Sequence, residues 1–159
     1  MVILGIDPGY AIVGYGLVYY DKYKFQPLGH GVITTNSKTP MPLRLLEIYN
    51  DLNEIIKKAK PDCVAVEKLF FNTNAKTAID VAQARGVILL CLQAENIPIY
   101  EYTPLQIKQS VTGYGRADKK QVMEMTKSIL RLKEVAKPDD AADALAVCIC
   151  HGHTSNIAR

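Results

Sequence analysis

Two apolar runs that each end in a carboxylate, VILGID at residues 2–7 and CVAVE at 63–67, constrain this chain more than any other feature. Neither alternates polar with apolar residues, so each reads as a strand covered on both faces, at the centre of a sheet. Pro8-Gly9 turns the chain after the first run, and a helical pattern leads into the second. The second run is therefore expected beside the first and parallel to it, after a crossover. Asp7 and Glu67 would then share the carboxyl ends of neighbouring strands, where clefts open in sheets of this kind. A buried, unpaired carboxylate is costly, so Asp7 needs a cation, a cluster of donors or water at a cleft edge.

The other elements follow from local pattern. Ile12–Tyr20 (IVGYGLVYY) is reached by so short a connection that it pairs antiparallel with the first strand, and residues 30–35 (HGVITT) read as a third strand. Leu45, Ile48, Leu52, Ile55 and Ala59 recur at helical spacing, with Lys57, Lys58 and Lys60 at the favourable end of the dipole and Pro61 as the stop. A second helical segment, from about Ala75 to Glu95, is apolar almost all round past Gly86, which fits either a buried central helix or a dimer interface. Ile97–Tyr100 reads as a fifth strand, followed by a brief helix over Leu105–Ser110. Asp118 and Gln121 form a capping box for a helix reaching Leu132, and a last helix (DDAADALAVCICH) follows Lys137-Pro138.

With 159 residues, 48% of them hydrophobic, residues 1–153 are expected to form one domain, followed by a polar, frayed tail over 154–159. Cys63, Cys91, Cys148 and Cys150 all lie in apolar stretches without a C-x-x-C pair, which reads as a reduced, cytoplasmic protein. No basic-then-apolar leader opens the chain, and no apolar run is read as long enough to span a bilayer. The net charge is +3, and setting aside Asp7, Glu67, Asp140 and Asp143 leaves a balance of +7. A basic body around an acidic pocket suits a polyanionic ligand.

Asp140 and Asp143, three residues apart, share one face at the start of the last helix. First-turn acids commonly serve as caps, and Asp139 alone would suffice for that. Asp143 lies deeper, in an alanine-rich surface able to approach a sheet closely. Four acids gathered there would be strongly unfavourable unless cations shared the site. A set of oxygen ligands without histidine or thiolate suits Mg²⁺ or Mn²⁺, and two such ions serve phosphodiester hydrolysis. The CICHGH segment carries no matching ligand pair upstream, and two cysteines two apart on a helix face different ways, so it reads as packed helix rather than a zinc site. His151 reads as able to reach the active-site edge, although nothing in the sequence requires it.

Asp7-Pro8-Gly9, Val66-Glu67 with Phe70, Gln83-Ala84-Arg85-Gly86, Val111–Gly115 between Lys108 and Lys119, and Asp140 to Ala146 together resemble the RuvC family of bacterial Holliday junction resolvases. The likeness runs from Val2 to about His153. It implies an α/β, RNase H-like fold: a five-stranded mixed sheet, its first three strands antiparallel, flanked by helices. It implies a homodimer that resolves four-way junction DNA by paired, symmetrical nicks, leaving 5′-phosphate and 3′-hydroxyl ends, and coupling to RuvA and RuvB. By the same resemblance Asp7, Glu67, Asp140 and Asp143 are the catalytic acids that bind two Mg²⁺ ions per site, with Mn²⁺ able to substitute. Lys119 and Lys108 lie near the scissile phosphate, Phe70 meets a base, and Phe71, Asn74, Arg116 and Lys120 are further expected DNA contacts. A related RNase H-like nuclease acting on other branched DNA or on RNA carries the same acids. A non-catalytic junction-binding module would be expected to lose some of them, and actin-like ATPases, which share the Asp-x-Gly turn, need two lobes.

Overall fold

The structure is a computed structural model and describes residues 1–69 and 75–157. Among these, ten elements follow in the order β1 (Val2–Asp7), β2 (Ile12–Tyr20), β3 (Phe25–Thr34), α1 (Met41–Ala59), β4 (Cys63–Glu67), α2 (Ala75–Ala94), β5 (Ile99–Tyr102), α3 (Pro104–Thr112), α4 (Lys119–Leu130) and α5 (Asp139–Ile157). The strands form one sheet in the order β3-β2-β1-β4-β5. β1 pairs antiparallel with β2 and parallel with β4, so the two acid-tipped strands are central neighbours, as their composition requires. Both are buried almost throughout.

Each face of the sheet carries its own core. Leu4, Ile6, Val64 and Val66 pack with Ile48 and Leu52 of α1 and Ile88 and Leu92 of α2. On the other face Ile3, Val18 and Ala65 meet Leu145, Ala146 and Ile149 of α5, with Ile107 of α3 and Val122 and Leu130 of α4 behind them. α5 lies almost directly on the strands, because the positions beneath it carry no side chain. A Cβ on Gly5 would stand 2.1 Å from the Ala144 carbonyl oxygen, and one on Gly14 would stand 2.0 Å from that of Asp140. Helix backbone cannot yield as a flexible side chain can, so Gly14→Ala must push the start of α5 off the sheet. We expect it to cost about 1–3 kcal/mol, lowering Tm by roughly 3–10 °C in thermal unfolding.

Several boundaries differ from the sequence reading. β3 begins at Phe25 rather than residue 30; Pro27 is tolerated because β3 is an edge strand, and the register with β2 shifts between Leu17 and Val18, where Leu28 is passed over. β5 covers Ile99–Tyr102 rather than Ile97–Tyr100, because the Ile97 N–H is spent on the Leu92 carbonyl at the end of α2 and parallel pairing with β4 starts at Ile99. The buried stripe of α1 is Arg44, Ile48, Leu52 and Ile56, with Leu45 and Ile55 only partly covered. α5 continues to Ile157 instead of fraying after His153. Its Thr154 and Ser155 hydroxyls donate back to the Cys150 and Gly152 carbonyls, bonds that a helical tail accommodates. Against expectation, Thr77–Ala94 of α2 reaches the length and mean hydropathy (1.2) of a bilayer span. It is nonetheless tied to the sheet by Ala84, Ile88 and Leu92 and by an ion pair from Arg85 to Glu101 of β5.

Candidate active site

The pleat decides where the acids point. Gly5 and Ala65 are register partners on β1 and β4, and Gly5 faces α5. Two residues further along each strand the same face is presented again, so Asp7 and Glu67 extend toward α5 at the end of the sheet. Gly14, the partner of Asp7 on β2, lies under the Asp140 backbone and fixes the start of α5 against that end. The small residues of β1, β2 and α5 thus bring Asp140 and Asp143 up to the strand tips.

A cavity of about 420 Å³ opens there, lined by Asp7, Glu67, Asp143, Lys108 and Lys119, with Ile107, Val122 and Ala146 forming apolar wall. Burial, and then the charges of Glu67, Asp143 and Asp140, push the Asp7 carboxyl up to about 8. Burial, followed by the charge of Asp143, raises Glu67 to about 7, against the pull of Lys108 and Lys119. Asp143 is also raised by burial, although Lys119 opposes this. Burial alone would lower Lys119, but Asp143 and Asp139 outweigh it and hold the ammonium above its ordinary range.

Lys119, the first residue of α4, is delivered by the Asp118–Gln121 capping box, both halves of which form. Its Nζ stands 3.1 Å from Asp143 Oδ2 and 3.3 Å from Asp139 Oδ2. Asp139, read from sequence as a cap only, therefore also holds Lys119; no pattern in the sequence showed that α4 would start opposite α5. Asp140 does not line the opening, yet its charge acts on both Asp7 and Asp143. Arg116 and Lys120 are exposed and do not line it either. Phe70, Phe71 and Asn74 lie outside the described residues.

His151 is corrected more sharply. It is buried beside Cys63 at the start of β4, the opposite end of that strand from Glu67. There Nδ1 is 2.8 Å from the Tyr102 hydroxyl and Nε2 is 3.3 Å from Cys63 Sγ. Burial lowers its pKa, as expected of a packed imidazole rather than an active-site base.

The donor set fits a hard divalent cation. It consists of carboxylates alone, and both the burial that raises Asp7 and Glu67 and the acids that crowd them disfavour bare negative charge there, which a bound cation would offset. Among the described residues no three acidic, histidine or cysteine side chains stand close enough to chelate one ion as they are. Holding a cation would require side-chain adjustment, since Asp143 is paired with Lys119.

Residues 3–151 match the family model "Crossover junction endodeoxyribonuclease RuvC". The protein of that name from Alkaliphilus oremlandii is 57% identical over 98% of this chain and 95% of its own. The fold superimposes on the Thermus thermophilus RuvC structure with a TM-score of 0.92, at 34% identity over 99% of this chain and 97% of that one. The T. thermophilus RuvC in complex with Holliday junction substrate gives 0.90, at 32% identity over 99% and 96%.

Proposed function

This chain belongs to the RuvC family of crossover junction endodeoxyribonucleases, and from that premise we propose how its residues carry out the reaction. The enzyme is an RNase H-like endonuclease that resolves Holliday junctions. Asp7, Glu67, Asp140 and Asp143 are its catalytic acids. The observation that carries this reading is the gathering of carboxylates against two lysines at one opening, with Asp7 pushed up to about 8.

Two Mg²⁺ ions, or Mn²⁺ in their place, would polarise the scissile phosphate, activate the attacking water and stabilise the departing 3′ oxygen, leaving 5′-phosphate and 3′-hydroxyl ends. Asp7, whose carboxyl feels the charges of Glu67, Asp140 and Asp143, would hold the ions together with those three acids. Were Asp143 to hold a cation in exchange for Lys119, the ammonium would be free to meet a non-bridging phosphate oxygen. Asp139 keeps it aimed during the exchange. Lys108 on α3 holds the strand from the facing wall, while Arg116 and Lys120 steady flanking phosphates. Phe70, Phe71 and Asn74, between Glu67 and α2 in the chain, are the proposed contacts to bases.

Symmetrical cutting needs two sites, and α2 offers the surface for a homodimer. Ile79 and Leu90 are 70% and 64% exposed on it, and Gly86 between them has open space where a Cβ would be. An apolar stripe with a gap at its centre suits close approach by the same helix of a second copy. Four free, buried thiols fit a cytoplasmic enzyme, and coupling to RuvA and RuvB rests on family membership.

The test is cleavage of a labelled mobile four-way junction, with linear duplex and RNA/DNA hybrid as controls. We expect paired nicks confined to the junction in Mg²⁺ and none in EDTA, and for Leu90→Glu a monomer in sedimentation that loses the pairing of nicks. A junction bound but never cut in any divalent metal would reduce the acids to a structural role, and cutting of the hybrid instead would reassign the substrate.

A further inference from the structure

Among the described residues Arg44 is the only lysine or arginine that the fold buries, at 7% exposed. It sits in the first turn of α1, where helix polarity disfavours a cation, and no acid among the described residues pairs with it. A buried charge placed this way is unfavourable unless strong hydrogen bonds recover its lost hydration. Its partners are neutral and all belong to two short stretches. Nε donates to Thr35 Oγ1 at 2.8 Å, Nη2 donates to the Tyr10 carbonyl at 3.3 Å, and the guanidinium lies 4.7 Å from the centre of the Tyr10 ring. The Thr35 hydroxyl donates to the same Tyr10 carbonyl at 2.6 Å, and the Thr35 N–H donates to the Ala11 carbonyl at 3.0 Å.

One carbonyl, three residues past Asp7, is therefore gripped by donors from α1 and from the residue that follows β3. The turn it belongs to connects Asp7 to β2. Asp7 closes β1 opposite Gly14 of β2 and lines the same opening as Glu67 and Asp143, so the set of this turn decides where its carboxylate stands among them. We propose that Arg44, acting through Thr35 and Tyr10, is a positioning residue that fixes the Asp7 turn in the geometry required for metal binding and phosphodiester cleavage. The inference rests on the nuclease reading above. A planar fork reaching a hydroxyl and a carbonyl at once is what arginine supplies and lysine does not.

Arg44→Lys keeps the charge and loses the fork; Thr35→Val keeps the shape and loses the hydroxyl that joins Arg44 to Tyr10. Three quantities decide the matter: the single-turnover cleavage rate at saturating junction, Mn²⁺ affinity by calorimetry, and junction affinity without divalent metal. Each variant is expected to cut about 10- to 100-fold more slowly and to bind Mn²⁺ more weakly, with junction affinity within about twofold of wild type. The double variant should be little worse than Arg44→Lys alone, because the two residues act as one unit. Variants that match a cutting wild type overturn the inference and leave the nuclease reading intact, as does a rate loss explained by unfolding with unchanged Mn²⁺ affinity. A loss of junction affinity whose salt dependence falls by about one charge would make Arg44 a phosphate ligand instead. A wild type that neither binds Mn²⁺ nor cuts removes the reading and the inference together.

Discussion

Asp7→Asn is expected to abolish junction cleavage, by about 10³-fold or more, and at the same time to make the metal-free protein more stable near pH 8. The loss follows from position: Asp7 is largely enclosed at the tip of a central strand and is the acid coupled to the other three. The gain follows from the same enclosure. A carboxyl pushed from 3.8 to about 8 is held by the fold at a free-energy cost that an amide of nearly the same shape does not incur. The difference is on the order of a few kcal/mol, several degrees in Tm for a chain of this length. Junction cleavage and thermal unfolding in EDTA, on the same preparations, read both effects. A variant that is inactive and also less stable in EDTA at pH 8 would mean that Asp7 supports the fold, and the assignment of its charge to catalysis would fail.

How far the sequence leads depends on whether a residue's role is local. The acid-tipped strands were legible because a covered strand has no alternation, so a terminal charge stands out, and the parallel placement of β4 followed from one crossover. The capping box before Lys119 was legible for the same local reason. The start of β3 was hidden by Pro27, which argues against a strand unless the strand is known to be an edge. Arg44 was hidden by the phase of α1: hydrophobic spacing selected Leu45 and Ile55, whereas the buried stripe runs through Arg44 and Ile56. Nothing in a single sequence signals that an arginine is buried when its partners, Thr35 and the Tyr10 carbonyl, come from elements that meet only in the folded chain. The pairing of Asp139 with Lys119 is of the same kind. It depends on α4 and α5 packing side by side, and local pattern gave only a cap at one helix and a lysine at the other.

The cluster should also make stability depend on pH and metal in opposite directions. Asp7 and Glu67 have folded pKa values of about 8 and about 7, above the ordinary 3.8 and 4.5. Between those limits the folded state binds more protons than the unfolded one, so unfolding free energy falls as pH rises. The contribution is fully present below about pH 4 and is lost as pH passes through 7 to 8. In EDTA, Tm should therefore decline from pH 6 to pH 8. A divalent cation would bind the ionised carboxylates, and each proton it had to displace would weaken it at low pH. With both acids ionised on binding, apparent Mg²⁺ affinity should rise about 10²- to 10³-fold from pH 6 to pH 8. Because stabilisation grows as the logarithm of occupancy, the gain in Tm on adding Mg²⁺ should be small at pH 6 and reach several degrees at pH 8. In Asp7→Asn the Mg²⁺ response should shrink at every pH, and the decline in EDTA should flatten, leaving the part due to Glu67. Thermal melts across this range, with and without Mg²⁺, give the answer directly. An Mg²⁺ gain that does not change with pH would mean that the ion binds groups already ionised at pH 6, and Asp7 and Glu67 would not be its ligands.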